Sequence, residues 1–120
     1  MAGDGDPMDG QVLLLAAAKA SVSPQRLPDL VDLAQAHLTD RLAEYQRAYE
    51  VAFDEGDRVG FFVEADHWDE LGGRLGFTEQ EADALRRVHG AQLRRIGTDT
   101  DRRDEFEAAL DIREAVVIGR

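Results

Sequence analysis

The chain has 120 residues, with 25 acids against 14 bases and no cysteine. That length suits one domain with at most a short tail, and 43% hydrophobic residues is too apolar for a disordered acidic segment. Without cysteine there is no disulfide framework, thiolate zinc site, iron–sulfur cluster or thiol nucleophile.

The formal net charge is −11, and it is unevenly built. Asp outnumbers Glu, Asn is absent, and every base except Lys19 is Arg. Such a surface keeps a protein soluble, while its self-repulsion destabilises the compact state. In molar salt the Debye length falls to about 3 Å and that repulsion is screened. A GC-rich genome also replaces Lys by Arg, but it does not account for the charge. The Asp-rich, Lys-poor, Arg-retaining composition resembles that of cytosolic proteins of salt-in haloarchaea, a resemblance carried by the whole chain. It implies a salt-adapted cytoplasm. The longest apolar run, Val12 to Ala18, falls far short of the ~20 residues of a spanning helix. It follows Asp4, Asp6 and Asp9 where a secretory signal would be basic. A cytoplasmic location without a membrane segment is expected.

Residues 1–5 read as a flexible tail and 6–120 as a single compact domain. Asp6-Pro7 predicts a helix start, with Asp6 as cap and Pro7 in the first turn, running to about Ala20. Val12 to Leu15 are apolar on every side of it, which predicts central burial. Ser23-Pro24 opens a second helix, with Pro28 leaving its start open by one turn. Leu27, Val31, Ala34 and Leu38 then recur at helical spacing.

The next segment carries two patterns. Leu42, Tyr45, Tyr49 and Ala52 continue the helical spacing, so that helix could reach Glu55. Yet Tyr49, Val51 and Phe53 alternate, as do Val59, Phe61 and Val63, on either side of Asp54-Glu55-Gly56. A three-residue hairpin loop ending in left-handed Gly56 pairs Phe53 with Asp57, Val51 with Val59, Tyr49 with Phe61 and Arg47 with Val63. All six alternating residues then share one face. The helical alternative leaves residues 58–64 without a partner unless Ala115 to Ile118 supplies one. The hairpin is favoured.

Asp66 can cap a short helix carrying Trp68, Leu71 and Leu75, ending near Gly76, with Gly72-Gly73 as a flexible break. Thr78-Glu79-Gln80-Glu81 spells a capping box. The helix it starts places Ala82, Leu85, Val88, Gln92, Leu93 and Ile96 on one side, and Gly97 is its natural stop. A last helix from about Asp101 uses Phe106, Leu110 and Val117, ending in the apolar Ala115 to Ile118. The expected fold is mainly α (α+β): about five helices with one β-hairpin near residues 47–64.

The candidate contact residues are Arg86, Arg87, Arg94, Arg95, Arg102 and Arg103, six bases against Asp99 and Asp101 within residues 86–103. The first four fan over half a helical turn, opposite Leu85, Val88, Gln92, Leu93 and Ile96. Guanidinium groups match phosphate oxygens bidentately, so a nucleic-acid or partner contact is one reading. A solvated face paired with neighbouring acids is the preferred one, since phosphate contacts weaken steeply as salt rises.

Glu64 and His67 form an E-x-x-H pair, a metal-ligand spacing on a helix. No second pair exists in the chain, so Asp66 reads as a cap, Trp68 as core and His67 as exposed. His89, beside the apolar stripe, reads as a hydrogen-bonded packing residue, and His37 sits on a polar face. Ser21 and Ser23 have no nucleophile elbow around them, and no phosphate-loop glycine pattern is present.

No catalytic, cofactor-binding or metal residue is therefore expected. The expected function is a small non-enzymatic protein-interaction module, partnered by another protein or by a second copy of itself as a homodimer. The alternative is a winged-helix-like nucleic-acid-binding regulator, with residues 28–42 as recognition helix and 49–63 as wing. Nucleic acid is not favoured, because Asp29, Asp32, Asp40 and the tip Asp54-Glu55-Gly56-Asp57 would face phosphate.

Overall fold

The computed structural model describes residues 7–120; the expected tail over 1–5 and the Asp6 cap lie outside them. The described chain is mainly α with some β. In order it forms α1 (Gly10–Lys19), α2 (Arg26–Thr39), α3 (Leu42–Ala48), β1 (Glu50–Asp54) and β2 (Arg58–Val63). It continues with α4 (His67–Leu75), α5 (Glu79–Asp99), α6 (Arg103–Leu110) and β3 (Glu114–Gly119). The three strands form one antiparallel sheet in the order β1-β2-β3.

Helix α5 is the axis of the fold, packed against α1, α2, α4, α6 and β3. Its start is the expected capping box: Thr78 Oγ1 accepts the Glu81 N–H at 3.1 Å, and Glu81 returns a carboxylate oxygen to the Thr78 N–H at 2.9 Å. All six residues of the predicted stripe are buried. Gly97 does not stop the helix. A Cβ there would lie 2.8 Å from Cδ2 of Phe106 and 3.2 Å from Cα of Arg103, so glycine lets α6 cross close against α5. The stop is Asp101, left-handed at φ 60, after which the Arg102 N–H bonds the Gly97 carbonyl at 2.7 Å. Helix α4 ends the same way with Gly76 at φ 76 and Phe77 N–H on the Gly72 carbonyl at 2.8 Å. Both closures satisfy a carbonyl the helix leaves orphaned.

The hairpin forms, but in another register. Asp54 pairs with Val59, Phe53 with Gly60, Val51 with Phe61 and Glu50 with Phe62, with an irregularity between Val51 and Phe53. Two causes shift it. Glu55 N–H bonds the Arg58 carbonyl at 2.9 Å, so the turn is Gly56-Asp57, one residue tighter than expected. The helical spacing is also real over Leu42 to Ala48, so α3 takes residues assigned to the strand. Val51 is consequently exposed instead of sharing the buried face. From Val59 to Val63, β2 is buried throughout, with Phe61 against Tyr45 and Phe62 against Phe106.

The last helix ends at Leu110, and Ala115 to Ile118 lie in β3, with Phe61 opposite Val116 and Val59 opposite Ile118. Their outer edge is closed by side chains. Gln35 donates to the Val117 carbonyl at 2.7 Å and accepts the Gly119 N–H at 3.1 Å. Trp68 Nε1 donates to the Ala115 carbonyl at 2.9 Å. A strand edge dressed in this way presents few open groups for pairing.

Helix α1 starts at Gly10, not at Pro7. Its Asp9 makes no side-chain cap, because Gln92 and Arg58 hold the carboxylate instead. Only Val12 is fully buried; Leu14 and Leu15 are 71% and 56% exposed, against the expected burial all round. The cause is one-sided packing, since α1 lies on the outside of α5. The glycines of α4 are no break either: they lie within the helix, and a Cβ on Gly72 would come 2.8 Å from Cβ of Ala82. Asp66 occupies the N-cap position of α4 without a side-chain cap bond.

Candidate functional site

Five cations, Lys19, Arg86, Arg87, Arg94 and Arg113, line a cleft of about 540 Å³ between α1, α5, the end of α6 and the start of β3. Its apolar lining comes from Leu15, Ala16, Ala91, Leu110 and Ala115, and Glu114 is its one acid. The sequence pattern that makes it is short. Arg87, Gly90, Ala91 and Arg94 fall at i, i+3, i+4 and i+7, one face of α5. Two small residues thus separate two guanidinium groups, and the facing walls come from α1 and from the α6–β3 junction.

The arginines are held by acids. Arg86 and Arg87 both bond Asp83, with Arg87 Nε at 2.7 Å from Oδ2. Arg94 Nε lies 2.7 Å from Glu107, which also takes Arg103 Nε at 3.0 Å. Burial pushes the Asp83 carboxyl up, but the bonds from Arg86 and Arg87 outweigh it and hold it below the usual range. Glu107 is likewise held low by its bonds to Arg94 and Arg103. Arg113 lies over the Phe62 ring, 4.5 Å from its centre, and reaches Glu50 at 2.9 Å. Its buried Nε finds no acceptor among the described residues. Glu114 is pushed up by burial, against the Trp68 N–H it accepts at 3.0 Å.

The structure therefore divides the six sequence candidates. Arg86, Arg87 and Arg94 enter the cleft. Arg95 pairs with Asp99, Arg102 with Glu105 and the Ala52 carbonyl, and Arg103 with Glu107 and Thr98, all outside its lining. Lys19 and Arg113 complete the cleft and were missed, because they come from elements remote in sequence. Lys19, the chain's single lysine at the end of its apolar run, was the available signal.

The histidines are structural in their contacts. His67 is half-buried rather than exposed; its Nε2 lies 2.7 Å from the Tyr45 hydroxyl, and its ring meets Tyr45 and Tyr49 edge-on. Burial lowers its pKa. His89 is fully buried, accepts the Val117 N–H at Nδ1 and packs 4.4 Å from the Trp68 ring. Among the described residues no group of three or more His, Cys, Asp or Glu is placed to share a metal ion. No helix among them is long and apolar enough to cross a membrane.

A mainly helical chain with a three-stranded antiparallel sheet and a cation-lined cleft is the class these observations define. The chain belongs to the family described as Domain of unknown function (DUF8048), whose model matches residues 6–120. No curated protein and no solved structure matches it.

Proposed function

We propose that this chain is a small non-enzymatic protein-interaction module of a salt-adapted cytoplasm. One observation carries this: α1 turns Leu14 and Leu15 outward while Val12, Leu13, Ala16 and Ala17 face the core. Contiguous apolar patches mark contact surfaces in soluble proteins, and these two leucines are neighbours on one helix. Ile112, 74% exposed, lies between Leu110 and Arg113, both in the lining of the neighbouring cleft. The partner is another polypeptide or a second copy of the chain.

Nucleic acid takes second place as partner. Asp29 and Asp32 are exposed on α2, where a recognition helix would need bases, and the hairpin tip remains acidic. Five of the six arginines contact an acid at 3.1 Å or less.

The test is a photo-crosslinking residue placed at Leu14, with Asp57 at the exposed hairpin tip as control, in molar KCl. A discrete adduct from position 14 that is absent from 57 is expected, with mass giving self-association or another chain. A strictly monomeric protein giving no adduct at 14 rejects the proposal.

A further inference from the structure

We propose that the cleft between α1, α5 and β3 is a binding site for a small amphiphilic organic anion, an apolar body bearing a phosphate or carboxylate head. Its volume of about 540 Å³ falls within the range of small-molecule pockets, roughly 300–1,000 Å³. The composition is also that of such a site: an apolar lining with a few placed polar groups.

Five of the six polar lining residues are cationic, Glu114 being the exception, in a chain whose net charge is −11. Their pairing does not exhaust them. Arg87 and Arg94 each meet their carboxylate through Nε. Their terminal nitrogens make no hydrogen bond among the described residues. Ion pairing thus fixes the direction of each guanidinium while leaving the donors that fit two oxygens of one anion. Lys19 has no ion pair among the described residues, so no described acid neutralises the positive charge on the α1 wall.

The floor between Arg87 and Arg94 is open because of its residues. A Cβ on Gly90 would meet only Nη1 of Arg94, at 3.6 Å, which places that terminal nitrogen over the glycine. Leu15, Ala16, Leu110 and Ala115 then surround space that a hydrated inorganic ion would leave unfilled. Solvent argues the same way. At molar salt a bare phosphate is screened within about 3 Å, whereas apolar burial is retained, so an occupant needs both parts.

A nucleic-acid backbone fits less well. It requires a continuous track of cations, but Glu114 interrupts this lining, Asp83 and Glu107 pair Arg87 and Arg94 beside it, and Arg95, Arg102 and Arg103 lie outside it. Leu15 belongs both to the outward face of α1 and to the cleft lining, whereas Leu14 lies outside that lining, so crosslinking at Leu14 and titration of the cleft read the two proposals separately.

The test uses the full chain in molar KCl, with amide chemical shifts followed during titration with 1-naphthyl phosphate, 1-naphthoate, 1-naphthol and inorganic phosphate. Saturable shifts at Ala16, Gly90, Ala91 and Ala115 are expected with at least one naphthyl anion. Whichever anion binds more tightly identifies the head group. Naphthol and inorganic phosphate should each bind at least about tenfold more weakly. The double variant Arg87→Gln with Arg94→Gln should weaken the anion about tenfold while still unfolding cooperatively, and Ala91→Leu, which fills the floor, should block it. Naphthol binding as tightly as either anion, shifts spread outside the cleft, or undiminished binding by a folded Arg87/Arg94 variant would each overturn the proposal.

Discussion

Val117 donates its backbone N–H to Nδ1 of His89 at 2.9 Å, and both residues are fully buried. The bond fixes His89 as an acceptor at Nδ1, which requires the neutral ring with its proton on Nε2. Burial drives the His89 pKa down to about 3 from 6.5. The unfolded chain therefore binds a proton that the fold refuses, and stability falls as pH drops from the unfolded value toward the folded one. Between pH 7 and 5 this single residue should remove about 2 kcal/mol, with half-buried His67 acting in the same direction. His89→Asn offers an amide oxygen for Val117 and cannot titrate. Urea unfolding at the two pH values should show the slope reduced in that variant. An equal slope in both proteins would remove His89 as its source.

Gly60 stands opposite Phe53 in the hairpin, and a Cβ on it would lie 2.2 Å from Cε1 of that ring. The phenyl ring thus lies across the glycine and covers the middle of β2. Gly60→Ala should cost about 1–3 kcal/mol through overpacking. The penalty should shrink in a Phe53→Leu background, because the clash is with ring carbons. A double-mutant cycle by thermal unfolding measures it, and additive costs would place the strain elsewhere.

The elements legible in the sequence were those whose signals are local. Thr78 and Glu81 fix the start of α5 by bonding each other, and the stripe from Ala82 to Ile96 needs only its own spacing. Strand β3 was misread as helix because Ala115 to Ile118 is a short apolar run without alternation. What makes it a strand is β2, more than fifty positions earlier, with Gln35, Trp68 and His89 closing its far edge. The hairpin showed the opposite difficulty, with two true signals overlapping: helix to Ala48, strand from Glu50. Half of the cleft was visible for the same reason. Arg86, Arg87 and Arg94 share one helix, while Lys19 and Arg113 arrive through tertiary packing.

Asp101 ends α5 at φ 60, the left-handed region that glycine enters without a side-chain penalty. The α4 terminus uses Gly76 for the same closure. Asp101→Gly should therefore stabilise the fold by roughly 0.5–1 kcal/mol, the relief of backbone strain exceeding the added freedom of the unfolded chain. Asp101→Val should destabilise it, since a β-branched residue tolerates that region worst. Chemical denaturation of the two variants tests the pair, and a destabilised glycine variant would show that the Asp101 side chain itself holds the turn.

The surface charge makes opposite demands on salt, and the sign of the response decides which dominates. Exposed ion pairs such as Arg87–Asp83 and Arg103–Glu107 contribute about 0–1 kcal/mol each and weaken as salt rises. Repulsion within a chain of net charge −11 weakens too, which favours the fold. Thermal midpoints should rise with KCl toward the molar range, with loss of cooperative folding at low ionic strength. Asp32, Asp40 and Asp57 are exposed and make no ion pair among the described residues. Changing all three to Asn should move the required KCl downward, because it removes repulsion while leaving every arginine pair in place. A protein that is cooperative and fully folded without salt, or whose midpoint falls as KCl rises, would show that its acidity is not an adaptation to a saline cytoplasm.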